Sequence, residues 1–143
     1  MSEVNSKIMS LQEAVSTFIK PGTHLTFGVF TGLRRPMAIA REIARQQIGD
    51  LFISGNGVGI AEEIVIGAGL VKYLECTLLG GIRPVHVGKA GTTSIEGGQI
   101  QIMEDYSNWS FALRTIAGHY GLPFIPCMSN MGSDIMKYDS FGT

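Results

Sequence analysis

A glycine-rich segment, Gly55-Asn56-Gly57-Val58-Gly59, could do chemistry through its backbone alone. It follows the short apolar run at 51–54 and precedes residues typical of a helix. Backbone amides at such a turn can hold an anion, an oxyanion or a ligand carbonyl. A dinucleotide-binding loop occupies the same position, with Glu75 spaced as a ribose ligand, but the third glycine of that fingerprint would fall on Ile60. The segment is therefore a candidate binding loop, and nucleotide binding stays open as an alternative.

Two charged groups lie where a helix is predicted to begin. Arg34 and Arg35 precede a helix N-terminus, where guanidinium and free N–H groups could jointly bind a phosphate or carboxylate. Glu104 and Asp105, followed by Ser107, could act as acid and base or position a substrate carbonyl. Both groups also have ordinary explanations, because arginines on loops are often solvated and acidic residues complement a helix dipole.

The histidines and cysteines show no spacing typical of a metal site. His24, His86 and His119 are far apart and lack the i, i+4 pattern of zinc ligands, so neither a metal site nor a catalytic Ser-His or Cys-His pair is predicted. Cys76 and Cys127 have no C-x-x-C spacing and lie among apolar residues. They are predicted to be buried free thiols.

Apolar periodicity and caps predict alternating strands and helices along the chain. Ser10 and Glu13 form a capping box for the first helix, and Ser107 and Gly121 mark the start and stop of the last. That last helix should bury Trp109, Leu113, Ile116 and Ala117. The predicted strands cover residues 24–30, 51–54, 71–79, 99–103 and 123–126; the predicted helices cover 11–19, 36–47, 61–66 and 108–120, and residues 82–98 form a loop with a short helical turn.

This alternation predicts an α/β fold with a mostly parallel open sheet and helices on both faces. In such folds the ligand site lies beyond the carboxyl ends of the strands. The loops to inspect are therefore 28–35, 55–59, 80–86, 104–107 and 127–134, the last of which contains Ser129.

Composition narrows the class of protein. The 143 residues fit one domain spanning 1–143, and a formal net charge of -1 offers no general attraction for nucleic acid or an anionic membrane. The N-terminus lacks a signal-peptide pattern and no apolar run reaches the ~18 residues of a membrane span. The cytoplasm is the expected location. The chain stops at Thr143 without a closing element, which favours a fragment.

Several motifs, in this order, resemble the N-terminal portion of alpha subunits of family I CoA-transferases, and most closely the glutaconate CoA-transferase A-subunit group. They are Ser10-Leu11-Gln12-Glu13-Ala14-Val15, Gly22 to Phe30, Arg35-Pro36-Met37-Ala38, Ile66-Gly67-Ala68-Gly69-Leu70-Val71, Met103-Glu104-Asp105-Tyr106-Ser107 and Gly121-Leu122-Pro123-Phe124-Ile125-Pro126. The resemblance departs at Pro21-Gly22, where the family has Asp-Gly, and at Gly28-Val29-Phe30, where it has Gly-Gly-Phe.

The resemblance implies the CoA-transferase/sugar isomerase type of α/β fold and an enzyme that uses coenzyme A as substrate without a permanently bound cofactor or metal. It implies a beta-subunit partner that carries the nucleophilic glutamate, because no Ser-Glu-Asn-Gly motif occurs here. The alpha chain would form a wall of the acyl pocket. The positions so implicated, together with the loop candidates above, are Gly28, Phe30, Arg34, Gly55, Asn56, Gly57, Gly80, Gly81, Glu104 and Ser129.

A related subgroup with the same fold hydrolyses CoA esters or opens cyclic CoA thioesters with the help of an alpha-chain glutamate. Glu104 would be that glutamate here. The sequence therefore leaves three functions open: a CoA-transferase subunit, a hydrolase or ring-cleaving subunit, and a non-catalytic nucleotide-binding module.

Overall fold

The structure is a computed structural model that describes residues 7–28, 34–80 and 88–137, without the side chains of Glu104, Asp105 and Met136. Strands and helices alternate along the described chain. In chain order they are α1 Leu11–Phe18, β1 His24–Leu25, α2 Met37–Gln46, β2 Leu51–Gly55, α3 Ile60–Gly67, β3 Val71–Cys76, α4 Lys89–Glu96, β4 Gln101–Asp105, α5 Asn108–Tyr120 and a 3-10 turn at Asp134–Lys137.

The four strands form one parallel sheet in the order β1-β2-β3-β4. Right-handed crossovers between consecutive parallel strands put the connecting helices on one face. Accordingly α1 packs on α2, α2 on α3 and α3 on α4. Helix α5 lies over the opposite face, where its Arg114 reaches Glu75 of β3. The predicted α/β fold with an open parallel sheet is confirmed.

The core lies between the sheet and the layer of α1 to α4. Its largest fully buried side chains include Ile43, Leu51, Ile53, Val65 and Leu74. Side chains alternate between the two faces of a strand, so Ser54 and Glu75, which follow Ile53 and Leu74 and are register partners, face α5 instead. Burial of these apolar side chains on one face of the sheet therefore turns Ser54 and Glu75 toward α5 on the other face.

Local caps begin and end the helices as predicted. Ser10 Oγ accepts from the Glu13 amide at 3.2 Å, while Glu13 Oε2 accepts from the Ser10 amide at 2.9 Å. Ser107 Oγ accepts from the Ser110 amide at 3.1 Å, and Gly121 ends α5 at φ 67°. A positive φ suits glycine because it has no Cβ.

Helix α4 occupies part of the segment predicted to be loop. Its first amides are satisfied by a residue of α3, since Glu63 Oε2 accepts from Ala90 N at 3.1 Å and Oε1 from Gly91 N at 3.0 Å. A Cβ on Gly91 would lie 2.8 Å from both Glu63 Oε1 and a Leu79 methyl. Because the residue that caps α4 lies on another helix, no pattern of neighbouring residues in the sequence predicted α4.

Three further predictions were wrong. Strand β1 is confined to His24–Leu25, and residues 123–126 form no strand, with Phe124 72% exposed. On α5 Ala117 is buried as predicted, but the other buried residue is Phe111, while Trp109 is 60% and Ile116 39% exposed. For residues 123–126 and for Trp109, an apolar residue type was taken to mean burial, which requires a neighbouring element that the described chain does not place there.

The helices of the described residues are all too short or too polar to cross a membrane.

Candidate active-site cleft

The segments that follow β1, β2, β3 and β4 meet at the carboxyl edge of the sheet, as a parallel α/β sheet requires. The Thr77 hydroxyl, just after β3, lies 2.8 Å from Asn56 Oδ1 and 2.7 Å from Asn108 Oδ1. It therefore joins the glycine-rich loop to the first residue of α5. These contacts hold the strand-end loops together beneath the N-terminus of α5.

Two adjoining cavities open between the sheet and α5, and we call them together the cleft. The sheet-face cavity has a volume of about 320 Å³ and is lined by His24, Thr26, Ser54 and Glu75 of the sheet side and Phe111, Arg114 and Thr115 of α5. The strand-end cavity, of about 380 Å³, shares Thr26, Phe111 and Thr115 and adds Gly28, Gly55, Asn56 and Glu62. Both volumes lie at the lower end of the range of about 300–1,000 Å³ for small-molecule sites.

A row of polar side chains crosses the floor of the sheet-face cavity. His24 Nε2 hydrogen-bonds with Ser54 Oγ, and Ser54 Oγ donates to Glu75 Oε2 at 2.9 Å. Arg114 Nη1 lies 2.5 Å from the same Glu75 oxygen and donates to the Tyr106 hydroxyl at 2.7 Å. The Glu75 carboxylate, 4% exposed, is thus held by a hydroxyl and a cation.

Arg114 remains charged in this setting. Burial opposes the charge, but the hydrogen bonds and charge interactions of Arg114 with Glu75 and Tyr106 together outweigh burial and raise the pKa of Arg114. Its side chain is 43% exposed, so the guanidinium is a cation at the wall of the cleft.

A buried ion pair supports the glycine-rich loop from below. Arg35 pairs with Glu62, and each side chain is only 2% exposed. Arg35 Nη2 also donates to the Gly57 carbonyl at 2.5 Å, and Glu62 Oε2 accepts from the Gly59 amide at 2.9 Å. The Arg35 and Glu62 side chains therefore hold the glycine-rich loop at Gly57 and at Gly59.

The structure brings several predicted site residues together. Gly28, Gly55 and Asn56 line the strand-end cavity. Gly57 adjoins them at φ 94°, a conformation that disfavours any other residue. Phe30 and Gly81 lie outside the described residues, and so does the side chain of Glu104, whose backbone is the register partner of Glu75 in β4.

The loop's amides are largely committed to the protein itself. Val58 N donates to Leu78 O at 2.9 Å, Gly59 N to Glu62, and Gly80 N to Val58 O at 2.9 Å. The Val58 and Gly59 amides cannot also hold an oxyanion, so the oxyanion site predicted for this turn is wrong at these two positions. The nucleotide-binding alternative would have Glu75 contact a ribose, but its carboxylate is bound to Ser54 and Arg114 instead.

The two adjacent arginines have separate places. Arg35 is buried against Glu62, so the anion site proposed for it is wrong: a carboxylate of the chain already occupies the guanidinium. Arg34 is exposed at φ 51° and lies outside the lining of either cavity. Ser129 reaches the carboxyl edge through its hydroxyl, which lies 2.7 Å from Ser107 Oγ.

No pattern in the sequence announced the polar row. Ser54 and Glu75 stand near the ends of apolar strands, and His24 and Arg114 are separated from them by tens of residues. The only signal was that Ser54 and Glu75 are polar residues within otherwise apolar strands. Parallel register and the position of α5 bring the four together.

Cys127 is exposed, not buried as predicted, while Cys76 is buried and both are free thiols. The Ser129 hydroxyl at 3.0 Å and then its amide at 3.4 Å approach Cys127 Sγ, and these contacts lower the pKa of the Cys127 thiol. A lower pKa enlarges the thiolate fraction at neutral pH, and the thiolate is the nucleophile.

We therefore expect Cys127 to react with iodoacetamide while Cys76 does not, with a rate that rises through a pH midpoint below that of an ordinary thiol. Ser129→Ala should move this midpoint upward and slow alkylation at neutral pH. Mass spectrometry of alkylation against pH measures both, and an unchanged midpoint in Ser129→Ala would contradict the assignment.

Among residues 7–28, 34–80 and 88–137, side chains of His, Cys, Asp and Glu form no group of three or more that could hold a metal ion.

Known proteins are similar to this chain in both sequence and fold. The sequence model of the family described as Coenzyme A transferase matches residues 8–140. The chain is 36% identical over 132 residues to the A subunit of glutaconate CoA-transferase from Acidaminococcus fermentans, covering 91% of this chain and 40% of that protein. It is 29% identical over 139 residues to the A subunit of 3-oxoadipate CoA-transferase from Pseudomonas knackmussii, covering 92% of this chain and 47% of that protein.

Solved structures agree with these matches. The crystal structure of glutaconate coenzyme A-transferase from Acidaminococcus fermentans matches with a TM-score of 0.84 and 32% identity, over 92% of this chain and 41% of that chain. A variant of the decarboxylase AibA/AibB matches with a TM-score of 0.82 and 25% identity, over 92% of this chain and 50% of that chain. The chain thus spans less than half the length of the curated relatives named above.

Proposed function

Since the chain belongs to the coenzyme A transferase family, we propose that it is part of an alpha subunit of an enzyme that moves CoA between an acyl-CoA and a carboxylic acid. The observation that carries the proposal is the family match over residues 8–140. The cleft at the carboxyl edge, where a ligand of an α/β fold is expected, supports it.

The proposed chemistry is covalent catalysis by a glutamate of a partner beta subunit. That carboxylate attacks the thioester carbonyl and expels the CoA thiolate, which forms a mixed anhydride. The thiolate then attacks the glutamyl carbonyl and releases the first acid as its carboxylate. The resulting glutamyl-CoA thioester passes CoA to a second acid by the reverse of these steps, so coenzyme A is a substrate.

In this scheme the chain contributes a wall of the site. Gly28, Gly55 and Asn56 line the strand-end cavity, where the reacting carbonyl would lie, and Thr26 and Phe111 lead from it to the sheet-face cavity. Glycine at positions 28 and 55 lets a ligand approach the backbone closely. We propose the remaining predicted positions, Phe30, Arg34, Gly57, Gly80, Gly81, Glu104 and Ser129, as neighbours of this wall.

One observation keeps hydrolysis of a CoA ester as a second candidate. The backbone of Glu104 pairs with that of Glu75 in β4, and in this second candidate Glu104 would be the carboxylate that assists water. In that reaction CoA would be released without any acceptor acid.

Co-expression with the protein encoded beside it tests the function. We expect a stable complex that transfers CoA from acetyl-CoA to added carboxylic acids and carries CoA covalently on the partner in mass spectra. Release of CoA that does not depend on an acceptor acid would favour hydrolysis. A complex with neither activity, or the absence of a complex, would contradict the proposal.

A further inference from the structure

The ion pair of Arg35 and Glu62 lies where charged side chains are costly. Each side chain is only 2% exposed, so each has lost almost all of its hydration. Arg35 also directly precedes Pro36, the N-cap of α2, a position at which the helix dipole disfavours a cation. Replacing a buried ion pair with well-packed apolar side chains is often neutral or stabilising. Folding stability alone therefore does not require an ion pair at this position.

The pair supplies two hydrogen bonds to the glycine-rich loop that apolar side chains could not make. Arg35 Nη2 donates to the Gly57 carbonyl at 2.5 Å, and Glu62 Oε2 accepts from the Gly59 amide at 2.9 Å. Gly59 is the N-cap of α3 but has no side chain to cap it, so Glu62 takes that role. Because the donor and the acceptor are themselves paired, they hold two points of the loop relative to each other.

The bond from Arg35 completes the set that fixes the backbone after Gly57. Val58 N donates to Leu78 O and Val58 O accepts from Gly80 N, each at 2.9 Å. The peptide unit between Gly57 and Val58 is thus held at both its oxygen and its nitrogen. Glycine has the widest choice of backbone conformations, and Gly57 stands at φ 94°. The bond to its carbonyl favours this one conformation over the others.

The loop fixed in this way forms a wall of the strand-end cavity. Gly55 and Asn56, which precede the held peptide unit, line that cavity together with Glu62. Asn56 is held from the side of β3, where its Oδ1 lies 2.8 Å from the Thr77 hydroxyl. A displacement of about 1 Å at a reacting site can lower a rate about 100-fold. The position of this wall therefore matters more for a bound ligand than for the stability of the chain.

We propose that Arg35 and Glu62 are positioning residues of the strand-end cavity. They act through Gly57 and Gly59 and hold the glycine-rich loop in the conformation that orients the acyl-CoA. For folding alone, a pair of apolar residues would serve as well. The inference deepens the proposed function and rests on it for the identity of the ligand.

The double variant Arg35→Met with Glu62→Leu separates the loop from the fold, and it can be studied in the isolated chain. We expect its urea unfolding midpoint to stay close to that of the unmodified chain. In NMR spectra of the isotope-labelled variant, the amide signals of Gly57 and Gly59 should move. The Gly59 amide, which loses its acceptor, should exchange with solvent roughly tenfold faster or more, the value of one hydrogen bond to a charged group.

The matched control is Arg45→Met with Glu42→Leu, which removes the ion pair on α2. This variant should leave the amide signals of Gly57 and Gly59 unchanged. A folded Arg35→Met, Glu62→Leu variant with unchanged signals would overturn the inference. Failure of that variant to fold would overturn it as well, because the pair would then be required for stability.

Kinetics of the complex with its partner test the consequence for catalysis. With acetyl-CoA as donor, the Arg35→Met, Glu62→Leu complex should lose 10- to 100-fold in kcat/KM, on the order of the effect of a misplaced site. A smaller amount of folded complex would lower kcat and leave KM unchanged, so a raised KM or a loss of kcat at full assembly identifies the positioning role. An unaltered kcat/KM would overturn the inference. An unmodified complex without CoA transfer would contradict the proposed function, while the loop signals still decide the role of the pair.

Discussion

Replacing Arg35 with methionine is expected to destabilise the chain by about 3–5 kcal/mol, the cost of removing one partner of a buried ion pair. Glu62, 1% exposed, would keep its hydrogen bond from the Gly59 amide but lose its cation. The Gly57 carbonyl would lose the donor that now holds it at 2.5 Å. Urea denaturation followed by circular dichroism measures the change in the free energy of unfolding.

A matched control is the pair of Arg45 and Glu42 on α2, in which the arginine side chain is 57% exposed and the glutamate side chain 11%. Arg45→Met should cost far less stability than Arg35→Met, because ion pairs whose cation stays in water contribute little. The double variant Arg35→Met with Glu62→Leu should recover most of the lost stability, because well-packed apolar residues replace a buried pair at little cost. Equal small losses in Arg35→Met and Arg45→Met would show that the pair is not buried as described.

Replacing Leu74 with alanine should cost about 2–5 kcal/mol, the usual range for a large-to-small change in a packed core. Leu74 is 0% exposed on β3, where its register partners are Ile53 of β2 and Ile102 of β4. The loss combines the transfer of the removed atoms with the cavity that they leave. Denaturation by urea, with the slope compared to that of the unmodified chain, measures it.

Leu78, four residues later and 41% exposed, provides the comparison. Leu78→Ala should cost less than about 1 kcal/mol, because its side chain remains partly in water. The pair of variants thus tests whether Leu74 lies in the packed core while Leu78, beyond the end of β3, does not. Losses of similar size at the two positions would contradict the burial of Leu74.

Much of the fold followed from local signals. The capping box at Ser10 and Glu13, the N-cap at Ser107 and the stop at Gly121 were predicted because their hydrogen bonds join residues three or four positions apart. The resemblance to CoA-transferase alpha subunits rested on motifs read in order along the chain, and the family match confirms it. Gly28, Gly55 and Asn56 were found because strand-end loops can be located from the strands themselves.

The predictions that failed concern segments whose structure depends on contacts with residues distant in the sequence. Helix α4 takes its cap from Glu63, so its residues, with Gly88, Gly91, Thr92 and Thr93, resemble a loop when read alone. Residues 123–126 resemble a buried strand but have no neighbouring strand in the described chain. From the sequence alone, Arg35 could not be distinguished from its exposed neighbour Arg34. The two differ because α3 places Glu62 against Arg35.

The sequence by itself thus determined the α/β class, the family and the loops that border the site, because periodicity, caps and motifs act over a few residues. Only the tertiary structure decided which side chains share the cleft. His24, Ser54, Glu75 and Arg114 meet because parallel register aligns three strands and α5 crosses the face that the core leaves open. Register and helix placement follow from burying the apolar face of the whole sheet, a free energy that no single segment contains.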